Sequence, residues 1–485
     1  MNVGSAETST PGLVWRRTVA DTETPVSAML KLHEAGRGDF LLESVEGGAT
    51  RGRYSLIGLA PDLVFRARSR AAEISRKGGA FTALPGDTLT ELRALVAACR
   101  MELPEGLPPA LSCLVGYMGY ETVGLVETLD VPDADPLGLP DMLFVRPTLI
   151  LVFDRLKDEL HLVAPLFDGG SAADAEERID AALARLAAGV PQPVAQDAHH
   201  AGERTAVMAP GDYAAMVARA KDYITAGDIF QVVLAQRFTQ QFPLPPMDLY
   251  RALRRINPAP FLYFLDLPGF ALIGSSPEIL VRVRDGDVTI RPIAGTRPRG
   301  KTQAEDAAHR ESLLADPKER AEHLMLLDLG RNDVGRVAAP GTVEVTESHI
   351  VELYSHVMHM VSNVRGRLDP RHDAIDALLA GFPAGTVSGA PKVRACQIIA
   401  ELEPEKRGPY AGCVGYFSPD GAMDSCIVLR TAVLKDGVMH VQAGAGIVAD
   451  SDPAAEQREC EAKSGALFAA AAEAMTRAQD AGYGQ

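Results

Sequence analysis

Apolar residues along the first part of the chain fall in short runs. RYSLIGLAP (53–61), DLVFRARS (62–69) and TLILVFDRL (148–156) are rich in β-branched residues and close on turn residues, which predicts strands. The period changes at about 172 to 188. Ile179, Ala182, Leu183 and Leu186 sit at i, i+3, i+4 and i+7, with Gly189 as a stop, which predicts a helix. VPQPVAQDAHHAGERTAVMAPGD follows without periodicity and reads as a linker, with a boundary near 205. YAAMVARAKDYITAGD then predicts a helix, and GFALIGSSPEILVRVRDGDVTIRPIAG predicts two or three strands with a hairpin at Asp285–Gly286. Residues 303 to 335 read as charged helix. GCVGYFSPDGAMDSCIVLRTAVLKDGVMHVQAGAGIV reads as a meander turning at Asp420–Gly421 and Asp436–Gly437, with Arg430 inside one of its strands. A last helix starts at Asp452–Pro453 and runs to about Arg477. Consecutive hairpins without repeating βαβ units predict an α+β fold with antiparallel sheets. The division is 1–205 and 206–485, with the two parts interleaved.

The 485 residues suffice for a large core, and the net charge of −16 disfavours a nucleic-acid partner without excluding a small anion in a local cationic pocket. No apolar run is of membrane-spanning length, so no membrane partner is expected. The six cysteines (Cys99, Cys113, Cys396, Cys413, Cys426 and Cys460) form no C-x-x-C pair. With no signal-like N-terminus, they read as reduced thiols of a cytoplasmic protein.

One stretch raises a specific question. GTRPRGKT (295–302) matches the phosphate-loop pattern G-x-x-x-x-G-K-[ST]. A phosphate loop leads into an apolar helix with free backbone N–H groups. Here QAEDAAHRESLLADP follows, and Pro298 removes one N–H. A nucleotide cradle is therefore not expected.

The neighbouring segments carry more information. RPIAGTRPRG (291–300), DPKERAEHLMLLDLGRND (316–333), YSHVMH (354–359), FPAGTVSGAPKVRA (382–395), QAGAGIVADSDP (442–453) and GDIFQVVLAQRF (227–238) closely resemble the chorismate-binding enzymes. FLLESVE (40–46) and RYSLIG (53–58) extend the resemblance to the branch that forms anthranilate. Members that activate water usually carry a lysine where this chain has Gln231, and members that attack the ring covalently often carry one where it has Ala294. Without either lysine the site lacks a protein-borne base or nucleophile there, and ammonia fits as the external nucleophile. The resemblance thus implies conversion of chorismate and ammonia into anthranilate and pyruvate, with face-to-face antiparallel sheets and helices outside. A chain that stops before pyruvate loss, or a silent chorismate- or tryptophan-binding regulator, are the rival readings.

The resemblance also implies roles for individual residues. Two E-x-x-E pairs, Glu319/Glu322 and Glu456/Glu459, each share a helix face. Read alone they are salt-bridged surface charges. In the family's terms Glu322 and Glu459 are ligands of a Mg2+ cofactor, with Glu319 and Glu456 behind them. Gly295, Thr296, Tyr410, Arg430, Gly444, Ala445, Gly446 and Lys463 would bind substrate. His359 and Thr386 would be catalytic, although a histidine in an apolar run and a loop threonine are both common structural residues. Ser44, Pro260, Phe261 and Leu262 would form a tryptophan pocket for feedback inhibition. No cysteine lies in a G-x-C-x-G elbow, so a separate glutamine amidotransferase subunit is implied as the ammonia source.

Overall fold

Two long strands organise the molecule. In the computed structural model, which describes residues 12–46, 50–105, 107–108, 111, 114–167, 170–191, 202–354 and 357–479, Thr50–Arg68 runs antiparallel to Met142–Asp154. The sequence predicted two strands in 53–69. The structure has one, bent where Ala60 takes a positive φ of 49° and the register slips between Pro61 and Leu63. Such a slip re-aims a strand, and here it carries the pair from one sheet into another.

On one side of the bend the ladder continues through Asp39–Glu46, Phe261–Leu267, Phe270–Ser276, Thr431–Lys435, Val438–Ile447 and Gln231–Gln241. On the other side it continues from Met142–Asp154 through Leu114–Met118, Cys413–Phe417, Met423–Ile427, Ile279–Arg284, Asp287–Ile290 and Val357–Arg367. Strands from before residue 165 thus pair directly with strands from after residue 260. All of these pairs are antiparallel, and the fold is α+β, as the hairpin spacing predicted.

Side-chain alternation builds the layers. Phe40, Tyr263, Leu265 and Leu272 of one sheet meet Val115, Tyr117, Val145 and Val414 of the other in an apolar interlayer. The opposite face of the first sheet, with Leu41, Ile57, Phe264 and Ile273, is covered by Met29, Ile179, Tyr250, Leu253 and Leu467 from helices. The second sheet buries Phe65, Val281 and Val364 with the helical Leu92, Leu327, Ile375 and Ile399.

Local chemistry sets the boundaries. The helix predicted at 172–188 spans Ala172–Leu186, and the one from Tyr213 spans Asp212–Ala226. The hairpins at Asp285–Gly286 (φ 53° and 77°) and Asp436–Gly437 (φ 50° and 75°) have both central residues left-handed, as a type I′ turn requires. The 303–335 helix is two helices, Gln303–Ala315 and Pro317–Gly335. Asp316 separates them. Its carboxylate accepts from the Lys318 and Glu319 N–H groups, and Pro317 suits the first turn but cannot extend the previous helix. The last helix is Pro453–Gln479, with Asp452 accepting from the Ala455 N–H. Residues 192–201 of the linker and Cys113 lie outside the described residues. Among those described, no helix is long and apolar enough to cross a membrane.

Candidate active site

The segment that matched the phosphate-loop pattern spends its N–H groups on its own helix. Gly300 N–H donates to Asp306 (2.7 Å), Lys301 N–H donates to Glu305 (2.6 Å), and Thr302 caps Gln303–Ala315. Arg299 pairs with the same Asp306. No cradle is left for a phosphate.

The start of that segment faces elsewhere. Gly295 has φ 71°, which favours glycine, and a Cβ there would meet Glu319 Oε2 at 3.0 Å. Its carbonyl oxygen lies 3.1 Å from His359 Nδ1, and Thr296 Oγ1 lies at the same distance from that nitrogen. The strand pairing of Thr296 with His359 fixes this contact. Burial holds the His359 imidazole below its ordinary range, so it is neutral. A neutral ring donating Nδ1–H to a carbonyl leaves Nε2 unprotonated and able to take a proton. Tyr354 packs edge-on against it, with ring centroids 5.3 Å apart.

Gln231, Glu322 and the glycine strand form the next wall. Gln231 Nε2 is 3.5 Å from Glu322 Oε1, and a Cβ on Gly446 would come within 2.5 Å of the same amide nitrogen. Gly444 leaves similar room for the Tyr410 hydroxyl, at 2.8 Å from such a Cβ. The Lys463 ammonium donates to the Gly444 carbonyl (2.9 Å) and pairs with Glu459 (2.7 Å). Glu322 has its carboxyl raised by burial, then by the Glu319 and Glu459 charges. Two helices thus turn three carboxylates toward one region, and a cation would relieve their repulsion. Glu319 is itself paired with Arg297 (3.0 Å), and Glu456 sits one turn before Glu459, half-buried. No group of three or more His, Cys, Asp and Glu side chains closes into a metal cage among the described residues. Carboxylate oxygens are the donor type that magnesium takes, so Glu322 and Glu459 fit that ion by their chemistry.

Arg430 corrects a sequence expectation. It does not lie in a strand. Strand Met423–Ile427 ends in a tight turn closed by Leu429 N–H on the Ile427 carbonyl, and Thr431–Lys435 begins after Arg430. Arg430 occupies the break with φ 48°. Burial lowers its pKa, and no carboxylate pairs with it among the described residues. A desolvated guanidinium in a strained conformation is costly unless an anion arrives.

Glu278, in SSPEI, escaped the sequence reading. It is buried and accepts a hydrogen bond from Thr386 Oγ1, 3.2 Å from each carboxyl oxygen. Desolvation pushes its pKa up to about 8, so at neutral pH it is mostly a protonated acid. The available signal was a lone acidic residue amid the apolar strand positions of GFALIGSSPEILVRV.

A separate cavity of about 400 Å³ opens between the two sheets. Ser44, Phe261 and Leu262 line it, together with Tyr416 and Asp424; Pro260 is not among its lining residues. Beside it the buried Glu43 carboxylate accepts from Arg155, Arg254 and Tyr250.

A neutral histidine, a protonated buried carboxylic acid, a guanidinium with no carboxylate partner among the described residues and three carboxylates are groups that can hold a small anion, give a proton and take one. A family model described as chorismate binding enzyme matches residues 40–469, and the chain belongs to that family. Within it the chain is 53% identical over 97% of both chains to anthranilate synthase component 1 of Cereibacter sphaeroides. It is 49% identical to anthranilate synthase component 1 of Thermus thermophilus, over 94% of this chain and 97% of the relative. The crystal structure of anthranilate synthase component I from Streptococcus pneumoniae superposes with a TM-score of 0.78 at 37% identity, covering 93% of this chain and 98% of that one. A menaquinone-specific isochorismate synthase from Escherichia coli shares the fold, with a TM-score of 0.72 at 21% identity over 95% of both chains.

Proposed function

We propose that this chain converts chorismate and ammonia into anthranilate and pyruvate, the reaction of anthranilate synthase, as the first step of tryptophan biosynthesis. The observation that carries the reading is the 53% identity, over almost the whole chain, to anthranilate synthase component 1. Gln231 and Ala294 at the two discriminating positions agree with it, because ammonia needs no lysine to activate it.

Chorismate is a dicarboxylate. Arg430 and Tyr410 would hold the enolpyruvyl carboxylate, and the unpaired guanidinium supports that role. Glu322 and Glu459 would hold magnesium beside the ring carboxylate, with Gly444, Ala445, Gly446 and Lys463 around it. When bound, magnesium supplies a Lewis acid that neutralises the ring carboxylate and withdraws electron density from the diene. Ammonia enters at C2 as the C4 hydroxyl departs, and protonated Glu278, oriented by Thr386, would supply the proton that lets it leave as water. His359 Nε2 would then take the C2 proton while the C3–O bond breaks, enolpyruvate departs and the ring becomes aromatic, and return of that proton to the enolpyruvate methylene gives pyruvate.

The ammonia would come from a glutamine amidotransferase subunit. Burial raises the Cys396 and Cys426 thiols, and pushes Cys413 up to about 12 and Cys460 up to about 11, the opposite of an activated nucleophile. The intersheet cavity would take tryptophan as a feedback inhibitor. Its volume suits an amino acid of that size, and it has both apolar and charged walls.

The test is fluorescence of anthranilate from purified chain with chorismate and magnesium. Ammonium salt at alkaline pH should support formation, glutamine alone should not, and EDTA should abolish it. Formation from glutamine alone would refute the separate amidotransferase subunit, and no anthranilate under any condition would refute the function.

A further inference from the structure

Tyr410 sits on a short turn, and the turn is held from both sides. From outside comes Glu121, on the 3₁₀ turn Tyr120–Leu125. One carboxyl oxygen accepts the Arg407 N–H at 2.7 Å and the other the Gly408 N–H at 3.0 Å. Tyr120 N–H donates to the Gly408 carbonyl at 2.8 Å, and Gly408 takes φ 59°. From inside, the buried Arg407 guanidinium bonds Glu403 (2.8 and 2.5 Å), the Val387 carbonyl (2.8 Å) and the Val233 carbonyl (2.7 Å). Val387 follows Thr386, and Val233 lies two residues beyond Gln231. The guanidinium also packs over the rings of Tyr120 (4.6 Å) and Tyr410 (5.6 Å).

The planar fork therefore holds the Val387 and Val233 segments through bonds of its own, anchored on Glu403, while one carboxylate from the N-terminal part holds the backbone of the turn that carries Tyr410. A carboxylate accepting two backbone N–H groups defines a turn more tightly than either bond alone. Losing one partner of such a bond leaves a buried N–H unsatisfied, and the turn must move to water or to another acceptor.

We infer that Glu121 is a positioning residue for chorismate: by clamping the Arg407–Gly408 turn it sets Tyr410 where the substrate carboxylate binds. This rests on the substrate-binding role of Tyr410. Glu121 does not touch substrate. Its loss weakens chorismate binding and leaves the chemistry and the entry of ammonia largely alone.

The experiment measures steady-state kinetics of Glu121→Gln, Tyr410→Phe and the double variant in the full chain, with ammonium as nitrogen donor. Glu121→Gln keeps the side-chain shape but turns an N–H₂ group toward one of the two backbone donors. The expected result is a KM for chorismate raised about tenfold, kcat lowered less than about threefold and KM for ammonium unchanged, a split that general loosening of the fold would not produce. Because Glu121 acts through Tyr410, the double variant should match Tyr410→Phe in KM rather than multiply the two effects. If Glu121→Gln does not fold, Glu121→Asp, one methylene shorter, gives the same readout. A normal KM in the Glu121 variant, or multiplicative effects in the double variant, overturns the positioning role. A normal KM in Tyr410→Phe overturns the Tyr410 reading itself, and the clamp falls with it.

Discussion

The Nδ1 atom of His359 lies 3.1 Å from the carbonyl oxygen of Gly295. That contact fixes the tautomer and leaves Nε2 as the free base, while burial keeps the ring neutral. Removing the base should therefore cost rate rather than binding. His359→Gln is expected to lower kcat by roughly 10²- to 10⁴-fold with KM for chorismate within about threefold, as measured by anthranilate formation. The pKa is shifted down, so the base stays competent as pH falls into the ordinary histidine range. The acid limb of kcat assigned to this group should lie below that range.

Glu278 allows a test on stability as well as rate. Glu278→Gln should lower kcat at least about 100-fold, because the amide cannot supply the proton. The folded-state pKa is raised to about 8 from an ordinary value of 4.5. The group's favourable contribution is therefore complete below the unfolded-state pKa and is lost as pH rises through about 8. The melting temperature of Glu278→Gln relative to the unsubstituted protein should climb from pH 5 to pH 8 and then level off. A difference independent of pH would show that Glu278 is charged in the fold.

Arg430 has no carboxylate partner among the described residues, and the proposed function gives it the enolpyruvyl carboxylate. Charge-assisted hydrogen bonds are worth about 1.5–3 kcal/mol, so Arg430→Gln should raise KM for chorismate by roughly 10- to 100-fold. Melting temperature should be unchanged or higher, since a half-buried charge with no carboxylate partner among the described residues is removed. Differential scanning fluorimetry beside the kinetics checks both.

The carboxylate trio predicts metal dependence. Glu322→Gln and Glu459→Gln should each raise the magnesium concentration for half-maximal activity at least about tenfold. Direct titration of Mg2+ binding by calorimetry in the presence of chorismate should show the same loss.

The intersheet cavity predicts separable regulation. Ser44→Leu fills part of it, and the tryptophan concentration for half-inhibition should rise at least about tenfold with kcat in the absence of tryptophan nearly unchanged. Equal inhibition of both proteins would place the inhibitor elsewhere.

Much of this was legible in the sequence because it is local. Asp–Gly pairs marked the I′ hairpins, Asp452–Pro453 marked the last helix, and apolar spacing marked Ala172–Leu186. The motif segments named the residues that the fold brings together around Gln231, Gly295 and His359. Long-range facts were not legible. Nothing in 53–69 says that a strand bends at Ala60 and joins two sheets, because the reason is its partner strand, whose paired residues lie 75 to 100 positions away in sequence. Arg430 looked like a strand residue because its neighbours include β-branched residues, yet a tight turn closed by Leu429 N–H on the Ile427 carbonyl breaks the strand there. Glu121 and Arg407 were missed because a buried charge reads in sequence like an exposed one, and Glu278 because a lone acidic residue among apolar strand positions gains meaning only from the layers that enclose it.

The products decide between the members of this family. Purified chain with chorismate, ammonium and magnesium should yield anthranilate and pyruvate in equal amounts when the quenched mixture is separated by chromatography. An aminated product that keeps its enolpyruvyl group without pyruvate release, or isochorismate formed by addition of water, would rule out anthranilate synthesis by this chain.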